Sequence, residues 1–482
     1  MEIKKIFRNK IISKFGIYFF GQALLSVINF FMLPLYSHYI TTDEFGVYSI
    51  ILMFITVSSI LIDTGLTSTF SIKFYKLNKT HKTNFLYNIL FYYLMIGCVV
   101  SLILIYNNNL LNNLLSISVS YTVRNKVILI MLLTVFVRFL TNIFIIEQNA
   151  IKYVIVTLIR AISFAGFNLI FLIKYQMGYI SYINATLISL GIVFFVEILY
   201  IMSNYKININ GFKFKNYKEL FKVGTPLVFH NLANIIVDSG DKYLLNMMGT
   251  ASMVGLYSMG YKFGAFFLAF VVSPFGQVVW PILAKSFSED KEKYKKNVAN
   301  FLYVNLILTS VFLSTIYLVL DLYYRYFINQ EYWESYNIII IILVSMIIYS
   351  LSQNLTSPIM LREKTFYIPL ITLSSGIVNV LINFWLIPDY GIYGAAYATL
   401  ITYIFMIGAV FIISQKLEYI RYRYKNIIKF TIVSTVFFSI EFKLSGVVDF
   451  SFSRFLIKVF VFIIFIVVTY YINRNEIRKY KK

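Results

Sequence analysis

The sequence predicts an all-α polytopic membrane protein of about fourteen transmembrane helices, arranged as two pseudo-symmetric six-helix lobes followed by two further helices. Three observations predict it. Of 482 residues, 59% are hydrophobic and 13% charged, against about 45–50% and about 25% in soluble domains, so there are too few charges to cover a water-facing surface. Apolar runs of membrane-spanning length recur from end to end, and basic residues gather on alternate connections between them. At about 20 residues per span and about 10 per connection, the length admits at most about fifteen helices and leaves no room for a soluble catalytic head.

A window of about 19 residues places the spans at 15–36, 46–72, 84–106, 127–146, 153–173, 179–203, 223–248, 253–280, 298–320, 336–360, 365–387, 392–415, 427–440 and 455–472. The thirteenth is short because Glu441 and Lys443 cut into it. The basic start, Met1 to Lys14, lacks a small-residue cleavage site after a short apolar core, so the first span itself acts as the insertion signal. Helix breakers Pro34, Pro226, Pro274 and Pro358 fall inside spans, where neighbouring helices re-satisfy the freed backbone.

The charge of +22 from 43 Lys and Arg against 21 Asp and Glu would point to nucleic acid in a soluble protein. Here topology accounts for it. Thirty-two of the basic residues lie on the N-terminus, on 73–82, 204–222, 285–296, 416–429 and the tail 474–482, and at Lys152, Arg362 and Lys364; the alternate connections hold six. Positively charged connections stay in the cytoplasm, so both termini are expected there and no nucleic-acid partner is expected.

Two internal matches divide the chain. Thr41–Ser49 recurs as Thr250–Ser258 at an offset of 209, and Gly178 with Asn184–Ile188 recurs as Gly391 with Tyr397–Ile401 at an offset of 213. A duplicated six-helix unit follows, both copies inserting the same way round. The expected organisation is an N-terminal lobe 1–203, a basic linker 204–222, a second lobe 223–415, and two added helices with a basic tail over 416–482.

Polar residues inside these spans are the candidate site. Gln22 and Asn29 map by the repeat onto Asn231 and Asp238, and His230, Asn234, Asp238, Asp241 and Lys242 form one stripe along the seventh span. The eighth carries Lys262, Ser273 and Gln277, the fourth Arg138 one turn from Asn142, and the fifth Arg160 with Ser163; Asp63 and Glu197 complete the set. An ionisable group at mid-membrane costs at least about 2.5–3.5 kcal/mol, so it faces a cavity or a partner rather than lipid. Structural readings stand beside this one: Asp238 and Lys242, four residues apart, neutralise each other, while Asp241, Lys242 and Glu197 lie near span ends and reach the interface. The single Cys98 excludes a disulfide or a thiolate metal cluster within the chain, and no nucleotide, zinc or hydrolase motif occurs, so neither a cofactor, a metal nor a catalytic residue is expected.

The run Thr42-Asp43-Glu44-Phe45-Gly46-Val47-Tyr48, Asp63-Thr64-Gly65-Leu66 ahead of Lys73-Phe74, Pro226 followed by Asp241-Lys242, Val254-Gly255-Leu256-Tyr257, and the closing Asp389-Tyr390-Gly391-Ile392-Tyr393-Gly394-Ala395-Ala396 resemble the polysaccharide-unit flippases. These are the O-antigen and capsule transporters of the multidrug/oligosaccharidyl-lipid/polysaccharide exporter superfamily. The resemblance covers the whole chain, with Asp241-Lys242 where many relatives have Asp-Arg, a change that keeps the charge and loses the guanidinium fork. It implies an inner-membrane protein whose two lobes open a central cavity alternately to each side. The implied cargo is an undecaprenyl-pyrophosphate-linked glycan, delivered to polysaccharide polymerase machinery, with H⁺ or Na⁺ as coupling ion. Arg138, Arg160, Lys242 and Lys262 are then the cations for the pyrophosphate, Asp63, Asp238 and Asp241 the ion-coupling groups, and Gln22, Asn29, His230, Asn231, Asn234 and Gln277 the polar cavity lining. The alternatives are a multidrug or cation antiporter or a peptidoglycan-precursor flippase of the same superfamily, and a membrane-bound polysaccharide polymerase.

Overall fold

The computed structural model describes residues 27–28, 30–76, 78–205, 215–444 and 451–480. No strand occurs among them, and ten helices are long and apolar enough to cross a membrane. The chain packs as two compact units, Met1–Ser258 and Met259–Lys482.

In the first unit a helix over 30–39 (α1) leads to α2 (Thr42–Asp63), where the Thr41 side chain accepts the Glu44 N–H and Asp43 and Glu44 sit on the positive helix end. The helix stops where Thr64 and Gly65 take positive φ, and α3 (Leu66–Lys73) starts at once. Asn78 caps α4 (Lys79–Tyr106). After it come the short α5 (Asn108–Leu115), α6 (Tyr121–Ile146) capped by Ser120, and α7 (Ala150–Leu169) capped by Asn149, which widens into a π-helical turn over Ile170–Lys174. Next are α8 (Ile180–Asn204) and α9 (Lys215–Met248). Phe70 of α3 lies at the centre of the core, 5.3 Å from the rings of Phe85 (α4) and Phe139 (α6).

α10 (Ala251–Phe267) begins in this unit, and its start meets the start of α2 reciprocally. A Cβ on Gly46 would lie 1.7 Å from the Ala251 carbonyl oxygen, and one on Gly255 would lie 2.0 Å from that of Thr42; the Thr42 and Ser252 hydroxyls bond at 2.7 Å. These are the residues related by the offset of 209, so the two copies of the repeated motif pack on each other with backbone in contact, an approach only glycine permits. The second match is equally physical: Gly178 and Gly391 both have positive φ, 54° and 52°, and each breaks the chain before a helix or half-helix.

In the second unit α10 runs through a π-helical turn at Leu268–Val272 into α11 (Ser273–Glu289), followed by α12 (Lys291–Phe327), α13 (Ser335–Leu355) and α14 (Ser357–Leu361). α15 (Tyr367–Leu417) is two helices joined at Gly391, which accounts for both the eleventh and twelfth predicted spans. α16 (Tyr424–Leu444) and α17 (Phe452–Tyr480) pack on each other and on α12. Buried charge holds them there: Lys458 donates to Asp321 at 2.8 Å and to the Tyr317 carbonyl at 2.9 Å, Tyr336 donates to the other Asp321 oxygen, and Ser314 donates to Glu441 at 2.7 Å.

Candidate functional site

On α6, Arg138, Thr141 and Asn142 follow at steps of three and one and share a face. That face ties three neighbouring helices together. The Thr141 hydroxyl donates to Glu197 of α8 at 2.6 Å, and the Asn142 amide donates to Ser71 of α3 at 2.8 Å. Arg138 is exposed, and its charge reaches Tyr93 of α4. Tyr93 donates to Asp63, which also accepts the Thr67 N–H at 3.1 Å and the Thr67 hydroxyl at 2.6 Å. Asp63 therefore fastens the α2–α3 turn to α4 and lies one tyrosine away from Arg138.

Arg160 of α7 is accessible although protein crowds it, and it acts electrostatically on Glu197 and Tyr48. Glu197 is 0% exposed. Its Oε1 accepts from Thr141, whereas its Oε2 has no hydrogen-bond partner among the described residues. Beside this pair Tyr182 stacks on Tyr48 at 4.0 Å between ring centroids and meets Tyr36 in a tilted contact at 4.4 Å, while Asn168 donates to the Tyr36 hydroxyl at 3.2 Å. The Ser163 hydroxyl turns back to the carbonyls of Ile159 at 2.6 Å and Arg160 at 3.1 Å.

Along α9, Asn231 and Asn234 are half-buried, Asp238 is exposed, Asp241 is buried and accepts from the Tyr257 hydroxyl at 2.6 Å, and Lys242 is half-buried. Gln22, Asn29 and the side chain of His230 lie outside what the structure describes. In the second unit Lys262 is half-buried, and the Gln277 amide donates to Ser273 at 3.3 Å just after the π-helical turn.

Within the first unit Arg138 is thus linked to Asp63 through Tyr93, and Arg160 feels the charge of Glu197. Reading the sequence assigned Glu197 to a helix end and gave no role to Asp321 or Lys458. The signal for Glu197 was its distance from Thr141 and Arg160 across helices, which no linear window carries. For Lys458 the signal was present: a lysine within an otherwise apolar helix. No group of three or more metal-ligating side chains occurs among the described residues.

Comparison with solved structures finds the same fold in transporters. The chain superposes on a structure titled "Lipid II flippase MurJ, inward closed conformation" with a TM-score of 0.76 at 15% identity, over 96% of this chain and 99% of that one. It also superposes on the inward-facing conformation of a multidrug resistance MATE family transporter of the MOP superfamily, with a TM-score of 0.67 at 12% identity over 82% and 94%. The outward-facing conformation of a MATE family transporter gives 0.60 at 12% identity over 84% and 96%. No curated protein matches the chain in sequence. A family model described as "Polysaccharide biosynthesis protein" matches residues 37–318, from α1 through most of α12 and more than half of the chain. The chain therefore belongs to the polysaccharide biosynthesis protein family.

Proposed function

We propose that this protein is a flippase that carries undecaprenyl-pyrophosphate-linked oligosaccharide units from the cytoplasmic to the outer leaflet of the inner membrane by alternating access. One observation carries the reading. Arg138 and Arg160 lie within spanning helices, are accessible, and enter no ion pair among the described residues. An arginine at such depth is costly unless it meets a partner, and a pyrophosphate that must cross hydrocarbon is the partner a guanidinium fork fits best. Family membership in polysaccharide biosynthesis and the fold shared with a lipid II flippase support the same cargo class.

Lys242 and Lys262 are the further cations of this site, and Asn231, Asn234 and Gln277, with Gln22, Asn29 and His230, its polar lining. Asp63, Asp238 and Asp241 are the candidates for binding H⁺ or Na⁺, with Asp238 foremost because it is the exposed one of the three. Fourteen crossings with both ends in the cytoplasm follow from the distribution of basic residues. A multidrug resistance transporter shares this fold, but accessible arginines favour an anionic cargo over the cation of a drug or cation antiporter.

Deletion in the native host tests the proposal. Complete lipid-linked units should accumulate on the inner leaflet while surface polymer disappears. Surface polymer at the undisturbed level would remove the flippase reading.

A further inference from the structure

We propose that the second unit carries a preformed phosphate-binding pocket, built by the start of α12 and the linker between α15 and α16, that takes the diphosphate or phosphate group of a lipid or of a free anion. It faces the cytoplasm on the topology argued above and rests on that reading for its side, though not for its chemistry.

The pocket is a cavity of about 910 Å³ whose wall includes Lys293, Lys295, Lys296, Arg421 and Arg423, with Tyr419 at its edge. Sidedness alone places basic residues on cytoplasmic loops. It does not explain why these converge on one cavity from a backbone that is held in place. The linker has no helical residue, and its side chains alternate: Ile420 and Tyr422 are buried, while Tyr419 and Arg421 are exposed and Arg423 is half-buried. The Gln415 side chain clamps Ile420 at two points, its amide donating to the Ile420 carbonyl at 2.9 Å and its oxygen accepting the Ile420 N–H at 2.9 Å. Tyr422 packs on Phe411 at 5.9 Å and on Tyr424 at 6.1 Å. Upstream, Arg362 donates to Glu418 at 3.0 Å, which fixes the other end. The arginines therefore project from a braced segment and not from a loose loop, so little order has to be imposed when a ligand binds.

Acidic residues in the wall are already engaged. Asp290 accepts the N–H groups of Glu292 and Lys293, both at 3.0 Å, as the cap of α12. Glu292 pairs with Lys295 at 3.0 Å, and Lys295 also reaches Glu418 at 3.5 Å. Lys293, Lys296 and Arg421 are exposed and in no ion pair among the described residues. One guanidinium and two ammonium groups around a cavity match the two to three negative charges of a diphosphate, with the fork giving bidentate contacts and the lysines point charge. A cavity of this size also has room for a substituent on the phosphate.

Two sources supply such a group at this face: a diphosphate, free or on a carrier lipid, and the headgroup of an ordinary anionic phospholipid. The full chain in nanodiscs of zwitterionic lipid, titrated calorimetrically with inorganic pyrophosphate, tests the first. The same chain extracted from membranes containing phosphatidylglycerol, with retained lipid counted by native mass spectrometry, tests the second. Wild type should bind in at least one arm, and Lys296→Ala/Arg421→Ala should lower affinity or retention by about tenfold or more. Arg421→Lys should recover part of it, and Lys285→Ala, outside the pocket, should behave as wild type. Both substituted side chains are exposed, so the unfolding midpoint should not move. Loss confined to the pyrophosphate arm assigns the site to a diphosphate, and loss confined to the lipid arm assigns it to a phospholipid headgroup. Binding in neither arm, or binding equal in the double variant, overturns the proposal. Neither arm measures transport, so a failed flippase reading leaves this result intact.

Discussion

In the first unit Arg138 and Arg160 are accessible and in no ion pair among the described residues, whereas in the second Lys458 is fully buried on Asp321 at 2.8 Å. Both arrangements place cations inside spanning helices, yet they leave opposite amounts of hydrogen-bonding capacity. The Lys458 ammonium donates to a carboxylate and a carbonyl and lies 4.8 Å from the centre of the Tyr317 ring, so little of it remains for a ligand. The arginines keep their forks available. Apolar burial does not drive helices together in lipid, so α17 needs a specific anchor, and a closed ion pair supplies one. Complete partners make Lys458 a structural rivet, and their lack is what the proposed role of Arg138 and Arg160 rests on.

The largest expected effect comes from opening the closed pair. Lys458→Met leaves Asp321 buried without its cation, a change that costs about 3–5 kcal/mol in buried pairs. The unfolding midpoint of the purified protein should drop sharply. Adding Asp321→Asn should restore most of it, because the lost charge then has no orphan. A single variant as stable as wild type would mean that α17 is held by packing alone and that the contrast between the units is only apparent.

The opposite result is expected in the first unit. Arg138→Ala and Arg160→Ala should each abolish surface polysaccharide while shifting stability by no more than about 0.5 kcal/mol, the range of exposed substitutions. Lysine at either position should recover part of the export, since charge is kept and the fork is lost. A loss of stability comparable to that of Lys458→Met would class these arginines as rivets too.

Much of this contrast was legible in the sequence, and the part that was not has a definite cause. The matched motifs around Gly46 and Gly255 predicted a duplication, and the structure turns that match into a backbone contact. The gap between the predicted spans 365–387 and 392–415 holds Gly391, where α15 breaks. Depth in the membrane is readable because hydropathy varies along the chain, so Arg138 and Arg160 could be placed inside spanning helices. What a side chain faces around the helix axis is not readable in that way: Glu197 sits near a predicted span end, yet it is fully buried against α6. Boundaries cost more. The predicted ninth span stopped at 320, one residue short of Asp321, although α12 continues to Phe327. The partner Lys458 changes a window of about 19 residues too little to stand out.

A third arrangement, at the end of α15 and outside the spanning segments, should give the smallest effect and sharpens the comparison. Glu418 is largely buried, but Arg362 and Lys295, which reach it, keep one foot in water. Burial pushes its carboxyl up, yet the Arg362 hydrogen bonds and the charges of Arg362 and Lys295 outweigh that and hold it below the ordinary carboxylate range. A group whose folded-state value is depressed contributes stability that is complete above its unfolded value, near 4.3 for glutamate, and that is lost as pH falls through the folded value. The contribution should therefore be constant from about pH 7 to about pH 5.5 and fade in more acidic solution. Partial exposure of the arginine limits it to about 0.5–1 kcal/mol. Glu418→Gln should lower the unfolding midpoint slightly at pH 7, and its difference from wild type should shrink at about pH 3.5. A difference that is equal at both pH values would show that Glu418 acts through packing and hydrogen bonding and not through its charge. The rim pair would then be no weaker relative of the Lys458–Asp321 anchor, and screening by water would not be what separates the two.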